Sequence, residues 1–140
     1  MTAESFFDTN IFIYAASNAA EDCGKRTQAE KLILTKRFGL SSQVLQEFIA
    51  NALRKKGLGI SETGIDAFLT LATKGPILPV THKLVVEATI LRRRYQLSHW
   101  DATIVAAAKE LRCKTLYSED LNCGQKIEGV EIVNPFAVSN

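Results

Sequence analysis

Ser5-Phe6-Phe7-Asp8-Thr9-Asn10-Ile11-Phe12-Ile13-Tyr14-Ala15 decides the fold. It reads as a short apolar strand, then an aspartate, then an apolar helix, with no room for a loop between them. A carboxylate at that junction lies at the carboxyl edge of a strand and the amino end of a helix. In open α/β folds this is the edge at which ligands bind. Asp is also a preferred helix N-cap, so Asp8 taken alone reads as a cap. Whether it is more depends on how many other acids reach the same edge.

Working outward, residues 17–24 form a polar loop, and residues 25–38, with Ala29, Leu32 and Ile33, predict a helix. Gly39-Leu40-Ser41 leaves space for a very short strand. From Ser42 onward Val44, Leu45, Phe48, Ile49, Ala52 and Leu53 keep helical spacing, and Gly57 and Gly59 end the run. Residues 61–73 predict another helix capped by Ser61. Ile77-Leu78-Pro79-Val80 is extended, and Pro79 confines it to a sheet edge or a bulge. Residues 82–95 and the alanine-rich residues 98–112 predict two more helices. Thr115-Leu116-Tyr117 and Val130-Glu131-Ile132-Val133 are the last two strands. Strands alternating with helices predict a three-layer α/β domain around a mainly parallel sheet.

At 140 residues the chain is expected to be a single domain over 1–140, burying about 68–70% of its unfolded surface. A hydrophobic fraction of 46% and a charged fraction of 23% are those of an ordinary globular protein. No apolar run approaches the ~20 residues of a membrane span, and no signal peptide is expected. Cys23, Cys113 and Cys123 show no metal-binding spacing, and an odd count suits a reducing cytoplasm. The net charge of +2 is too small to argue for nucleic acid. The runs Arg54-Lys55-Lys56 and Arg92-Arg93-Arg94 are candidates for phosphate contacts, though either run alone reads first as a solvated helix face.

Three further acids reach the edge that Asp8 occupies. Asp120 follows the strand Thr115–Tyr117 in Ser118-Glu119-Asp120-Leu121. Asp101 lies in the first turn of the helix feeding that strand. Glu47 is about five residues into the helix after the short second strand, ~8 Å from its start. Each has a structural alternative. Ser98-His99-Trp100-Asp101 is a capping-box pattern, Glu47 lies off the apolar stripe as an ordinary solvated glutamate would, and Asp120 can simply shape a turn. Glu119 reads as solvent-facing. Clustered carboxylates repel, and a divalent cation removes the conflict. An all-oxygen set suits Mg²⁺ or Mn²⁺ over zinc, and His82 and His99 have no ligand spacing. Such a site suits phosphoryl chemistry, aided by helix amino ends at the same edge. The residues by themselves lead no further.

With Phe7-Asp8-Thr9-Asn10-Ile11, Gln46-Glu47-Phe48, Trp100-Asp101-Ala102, Leu116-Tyr117-Ser118-Glu119-Asp120-Leu121 and the closing Gly129-Val130-Glu131-Ile132-Val133-Asn134-Pro135-Phe136, the chain resembles the PIN-domain family over nearly its whole length. The resemblance is closest to the VapC-type ribonuclease toxins of prokaryotic toxin–antitoxin pairs. It implies an acidic quartet of Asp8, Glu47, Asp101 and Asp120 as catalytic and metal-holding residues, with Asn10 and Ser118 as polar supports. It further implies Mg²⁺- or Mn²⁺-dependent endoribonuclease activity, a VapB-type antitoxin partner and a homodimer. Arg92, Arg93 and Arg94 are candidate RNA contacts. Two rivals stand beside this reading. One is a PIN-like RNA-binding or assembly module with little or no cleavage. The other is a phosphatase with Asp8 as nucleophile, which would want an acid where the chain has Asn10.

Overall fold

The structure is a computed structural model that describes residues 3–137. Its first strand, β1 (Ser5–Phe7), is buried at every position and runs into α1 (Thr9–Ala16) with Asp8 as the only residue between them. A tight turn at Ala20–Asp22 leads to α2 (Cys23–Thr35), then β2 (Phe38–Ser41) and α3 (Ser42–Arg54). After α4 (Glu62–Ala72) come the two-residue β3 (Ile77–Leu78), α5 (His82–Tyr95) and α6 (His99–Glu110). The chain closes with β4 (Thr115–Tyr117), β5 (Lys126–Ile127) and β6 (Val130–Val133).

Among the described residues the strands form one sheet in the order β3-β2-β1-β4-β6-β5, parallel throughout except for β5, which runs antiparallel to β6. From β1 the chain steps through β2 to β3 in one direction, carrying α1 to α4. It then returns across β2 and β1 to β4 by way of α5 and α6. Crossovers between parallel strands are right-handed, so the return journey puts α5 and α6 on the opposite face. The packing agrees: α1 lies on α2 and α3, while α6 lies against β2, β4 and β6 and carries α5 on its back. This is the expected three-layer arrangement.

Sequence chemistry explains the layers. Residues Ala102 to Ala108 of α6 are buried without interruption, which only a helix covered on both sides tolerates. The α1 layer is pinned by aromatic rings. Phe7 stacks on Phe38 with centroids 4.9 Å apart, Phe12 meets Phe68 at 5.1 Å, and Phe48 stacks on Phe68 at 3.9 Å. Each such ring contributes about 1.5–3 kcal/mol on burial. Gly75 admits the β2 backbone closely, since a Cβ there would land on the Phe38 carbonyl oxygen.

Two expectations need correction. The helix read over residues 25–38 begins earlier, at Cys23, and stops at Thr35. Phe38 instead opens β2, because its ring is better stabilised stacked on Phe7 in the core than on an exposed helix end. The antiparallel β5 is an addition to the expected strands. At two residues it has no periodicity to read, and it is held by Ile127, which is fully buried, and by pairing to β6.

Candidate active site at the sheet switch point

The connections leaving β1 and β4 part company: β1 leads toward β2, and β4 toward β6. Such a switch point opens a crevice at the carboxyl ends of the two strands. Asp8 directly follows β1, and Ser118 directly follows β4. The Asp8 backbone N–H donates to the Tyr117 carbonyl at 3.0 Å, continuing the β1–β4 ladder one step into the crevice.

Asp8 does cap α1, its Oδ1 accepting from the Thr9 N–H at 2.7 Å. Its other oxygen, Oδ2, accepts from the Ser118 hydroxyl at 2.8 Å. The Ser118 Oγ in turn accepts from the N–H groups of Asp120 (3.3 Å) and Leu121 (3.4 Å), shaping the turn that presents Asp120. Asn10 donates to Asp120 Oδ2 at 3.0 Å. Both polar positions expected to support the acids therefore touch them, Ser118 on Asp8 and Asn10 on Asp120.

Glu47 is the sixth residue of α3 and turns toward the same crevice. The Thr9 hydroxyl donates to its Oε2 at 3.2 Å and the Gln43 amide to its Oε1 at 2.6 Å. The same Gln43 amide reaches the Trp100 carbonyl oxygen at 3.2 Å, tying α3 to the first turn of α6, where Asp101 lies. The Ser98 hydroxyl caps α6 by accepting from the Asp101 backbone N–H at 3.1 Å. That cap uses the Asp101 main chain, while the charge of Asp120 is felt at its carboxyl. All four acids are thus assembled at one edge, each beside a buried apolar neighbour in the chain: Phe7, Phe48, Ala102 and Leu121.

The electrostatics carry the mark of that assembly. Burial raises the Asp8 carboxyl from 3.8 to about 6; hydrogen bonds from Ser118 and Thr9 oppose the rise, and the charges of Glu47 and Asp120 add to it. Asp101 is also raised, first by burial, with a Ser98 hydrogen bond opposing and the Asp120 charge adding. Like charges disfavour one another's ionisation in this way when they share a site. Among the described residues no group of three or more His, Cys, Asp or Glu side chains is placed so that it could hold a metal ion as it stands. Both oxygens of Asp8 and of Glu47, and Oδ2 of Asp120, are each held by a neutral donor from Thr9, Asn10, Gln43 or Ser118.

Thr9 and Gln43 join the site from outside the set of candidate residues. Gln43 stands four residues before Glu47, a spacing that brings side chains together on a helix, so it is findable once Glu47 is singled out. Thr9 carries no signal beyond its place beside Asp8. Glu119 departs from the solvent-facing reading: it accepts from the Tyr14 hydroxyl at 2.6 Å and pairs with Lys25 at 2.6 Å, bracing the β4 turn against α1 and α2. Arg92, Arg93 and Arg94 occupy the last turn of α5, where basic residues complement the helix dipole. Arg94 pairs with Glu128 at 2.9 Å, so part of that run's charge is engaged away from the four acids.

Residues 5–126 match the family model described as PIN domain. No curated protein matches the chain. Solved structures do. A toxin–antitoxin complex from Klebsiella pneumoniae aligns with TM-score 0.69 at 20% identity, covering 96% of this chain and 99% of that one. VapC20 of Mycobacterium tuberculosis, a sarcin-ricin loop cleaving toxin, aligns with TM-score 0.66 at 23% identity over 83% of this chain and 89% of that one. VapBC2 from Rickettsia felis, bound to a DNA fragment from its promoter, aligns with TM-score 0.64 at 20% identity over 91% and 96%. At such identities the likeness is one of fold.

Proposed function

Since this chain belongs to the PIN-domain family, we propose that it is a metal-dependent endoribonuclease, the toxin of a VapBC-type toxin–antitoxin pair. Asp8, Glu47, Asp101 and Asp120 are its catalytic residues and hold Mg²⁺ or Mn²⁺. The observation that carries this reading is the gathering of four carboxylates from four separate elements at the sheet's switch point, with burial and mutual repulsion raising Asp8 to about 6. A protein gains nothing in stability from such a cluster, because ionised acids that share a site repel. The donor set is all oxygen, which fits a hard divalent cation. Near-complete overlap with toxins and toxin–antitoxin complexes of known structure supports the toxin role.

The chain's own residues divide the work. Thr9 and Ser118 fix both oxygens of Asp8, so its orientation is set before anything binds. Asn10 steadies Asp120 and Gln43 steadies Glu47. The amino ends of α1 and α6 face the same crevice and favour a phosphate there. A bound divalent cation supplies water activation and stabilises charge on the leaving oxygen in phosphodiester hydrolysis. An antitoxin of the VapB type would silence the site, and the toxin is expected to act as a homodimer. Among the described residues no helix is long and apolar enough to cross a membrane.

The test is cleavage of single-stranded and hairpin RNA by purified protein with Mg²⁺, with Mn²⁺ and in chelator, beside Asp8→Asn prepared identically. Cleavage by the wild type that needs the metal and is lost in the variant supports the reading. Equal cleavage by both would place the activity in a contaminant. No cleavage by the wild type under any metal would favour a non-catalytic RNA-binding module.

A further inference from the structure

Beside the four acids lies a second feature that their chemistry does not use. A cleft of ≈ 390 Å³ opens between α3 and the start of α6, walled by Gln43, Glu47, Val85, His99, Trp100 and Thr103. Its size is that of a small-ligand pocket. Trp100, the only tryptophan in the chain, is 66% exposed, and Val85 in the same cleft is 38% exposed. An exposed indole beside an exposed valine is an apolar surface that water covers at a cost. The ring is nevertheless held: His99 meets it edge to face, centroids 4.8 Å apart at 70°.

Gln43, in the cleft wall, carries an unmatched acceptor. Gln43 is only 7% exposed. Both contacts of its Nε2, to Glu47 Oε1 and to the Trp100 carbonyl, are with acceptors. The amide orientation is therefore fixed with nitrogen on that side. Its Oε1 is left buried with no hydrogen-bond partner among the described residues. A buried acceptor without a partner costs stability, a cost Gln43 bears while its nitrogen ties Glu47 to the first turn of α6.

From these features we infer that the cleft is a nucleobase subsite: an unpaired base of single-stranded RNA, next to the phosphate bound at the metal site of the acids, stacks on Trp100. The inference rests on the ribonuclease reading and extends it to the substrate. Two observations favour a base over a side chain of a protein partner. Glu47 is shared by the cleft wall and the acid cluster, and Trp100 is bonded directly to Asp101, so one nucleotide spans both places. The platform is a flat indole that is 66% exposed, with surface free for stacking. Base–aromatic stacking is tolerant of sequence and is lost on truncation of the ring.

The single tryptophan makes the test direct. In chelator, where RNA is bound without being cut, a single-stranded oligoribonucleotide should quench and shift Trp100 emission. A matched oligomer of abasic ribose phosphates should bind through charge and leave the emission unchanged. Trp100→Ala should raise the oligoribonucleotide Kd and the cleavage KM together, by roughly 5- to 150-fold. Trp100→Phe should recover most of that loss. Because Trp100 is largely exposed, both variants should melt near the wild type. Binding of RNA, seen by anisotropy of a labelled strand, with silent Trp100 emission or an unchanged Kd in Trp100→Ala overturns the subsite and leaves the ribonuclease reading intact. Quenching by an apolar peptide and not by RNA overturns it in favour of a protein partner. Failure of any RNA to bind or be cut overturns both readings.

Discussion

Asp8→Asn is expected to make the metal-free protein more stable at neutral pH, although it removes a buried, doubly hydrogen-bonded residue. Folding raises the Asp8 carboxyl from 3.8 to about 6. A group raised by folding contributes stability that is present below its unfolded value and is lost as the pH climbs through its folded one. Above pH 6, then, the ionised acid burdens the fold by about 3 kcal/mol, at about 1.36 kcal/mol per tenfold in proton affinity. Asparagine never ionises, so it escapes that burden. It gives up an acceptor to the Thr9 N–H or the Ser118 hydroxyl, a loss of about 1 kcal/mol. The balance is about 2 kcal/mol in favour of the variant at pH 7.5, or roughly 4–8 °C in Tm for a chain of this size. Near pH 3.5 the advantage vanishes and the variant becomes the weaker by about 1 kcal/mol. Thermal and urea melts in chelator at both pH values measure this, and a repeat in Mg²⁺ should raise only the wild type. A variant less stable by the same amount at both pH values would refute the reasoning.

Asp101→Asn should change stability by less than about 0.5 kcal/mol, because the α6 cap uses the Asp101 backbone N–H; RNA cleavage should nonetheless fall at least tenfold, and full cleavage would return Asp101 to a purely local role. Ser118→Ala removes a donor to Asp8 and an acceptor for two N–H groups. It should cost about 1–3 kcal/mol and push Asp8 above about 6, moving the acidic limb of the cleavage–pH profile upward; an unmoved limb would show that Asp8 does not set it. Neutralising Arg92, Arg93 and Arg94 should flatten the dependence of log K for RNA on log salt by about 0.7 for each phosphate no longer neutralised, and an unchanged slope would leave the run as a solvated helix end.

The parts of the architecture visible in the sequence are those with a long pattern or a strict junction. β1, Asp8 and α1 are legible because an apolar strand meets an apolar helix with one residue between them. The helix over residues 42–54 is legible from its spacing, and α6 from its alanine-rich run. The placement of Glu47 follows from counting along α3. What stays hidden depends on partners distant in the chain. Phe38 belongs to β2 because of Phe7, which the chain reaches long before it, and nothing local to Phe38 says so. β5 exists only as a pairing to β6. Glu119 looks exposed in the sequence because Lys25 and Tyr14, which engage it, approach from another layer. Thr9 and Gln43 escape notice since neither residue type titrates, yet they orient the acid that does most to join α3 to the site.

The central claim is that Asp8, Glu47, Asp101 and Asp120 form one cation site at the switch point of the sheet. Crystals grown with Mn²⁺, measured at a wavelength where manganese scatters anomalously, test it most directly. The expected result is an anomalous peak bounded by carboxylate oxygens of Asp8 and at least two of the other three acids, absent from crystals of Asp8→Asn grown alike. A wild-type map with no peak there at saturating Mn²⁺, or with its peak on the opposite edge of the sheet, would contradict it.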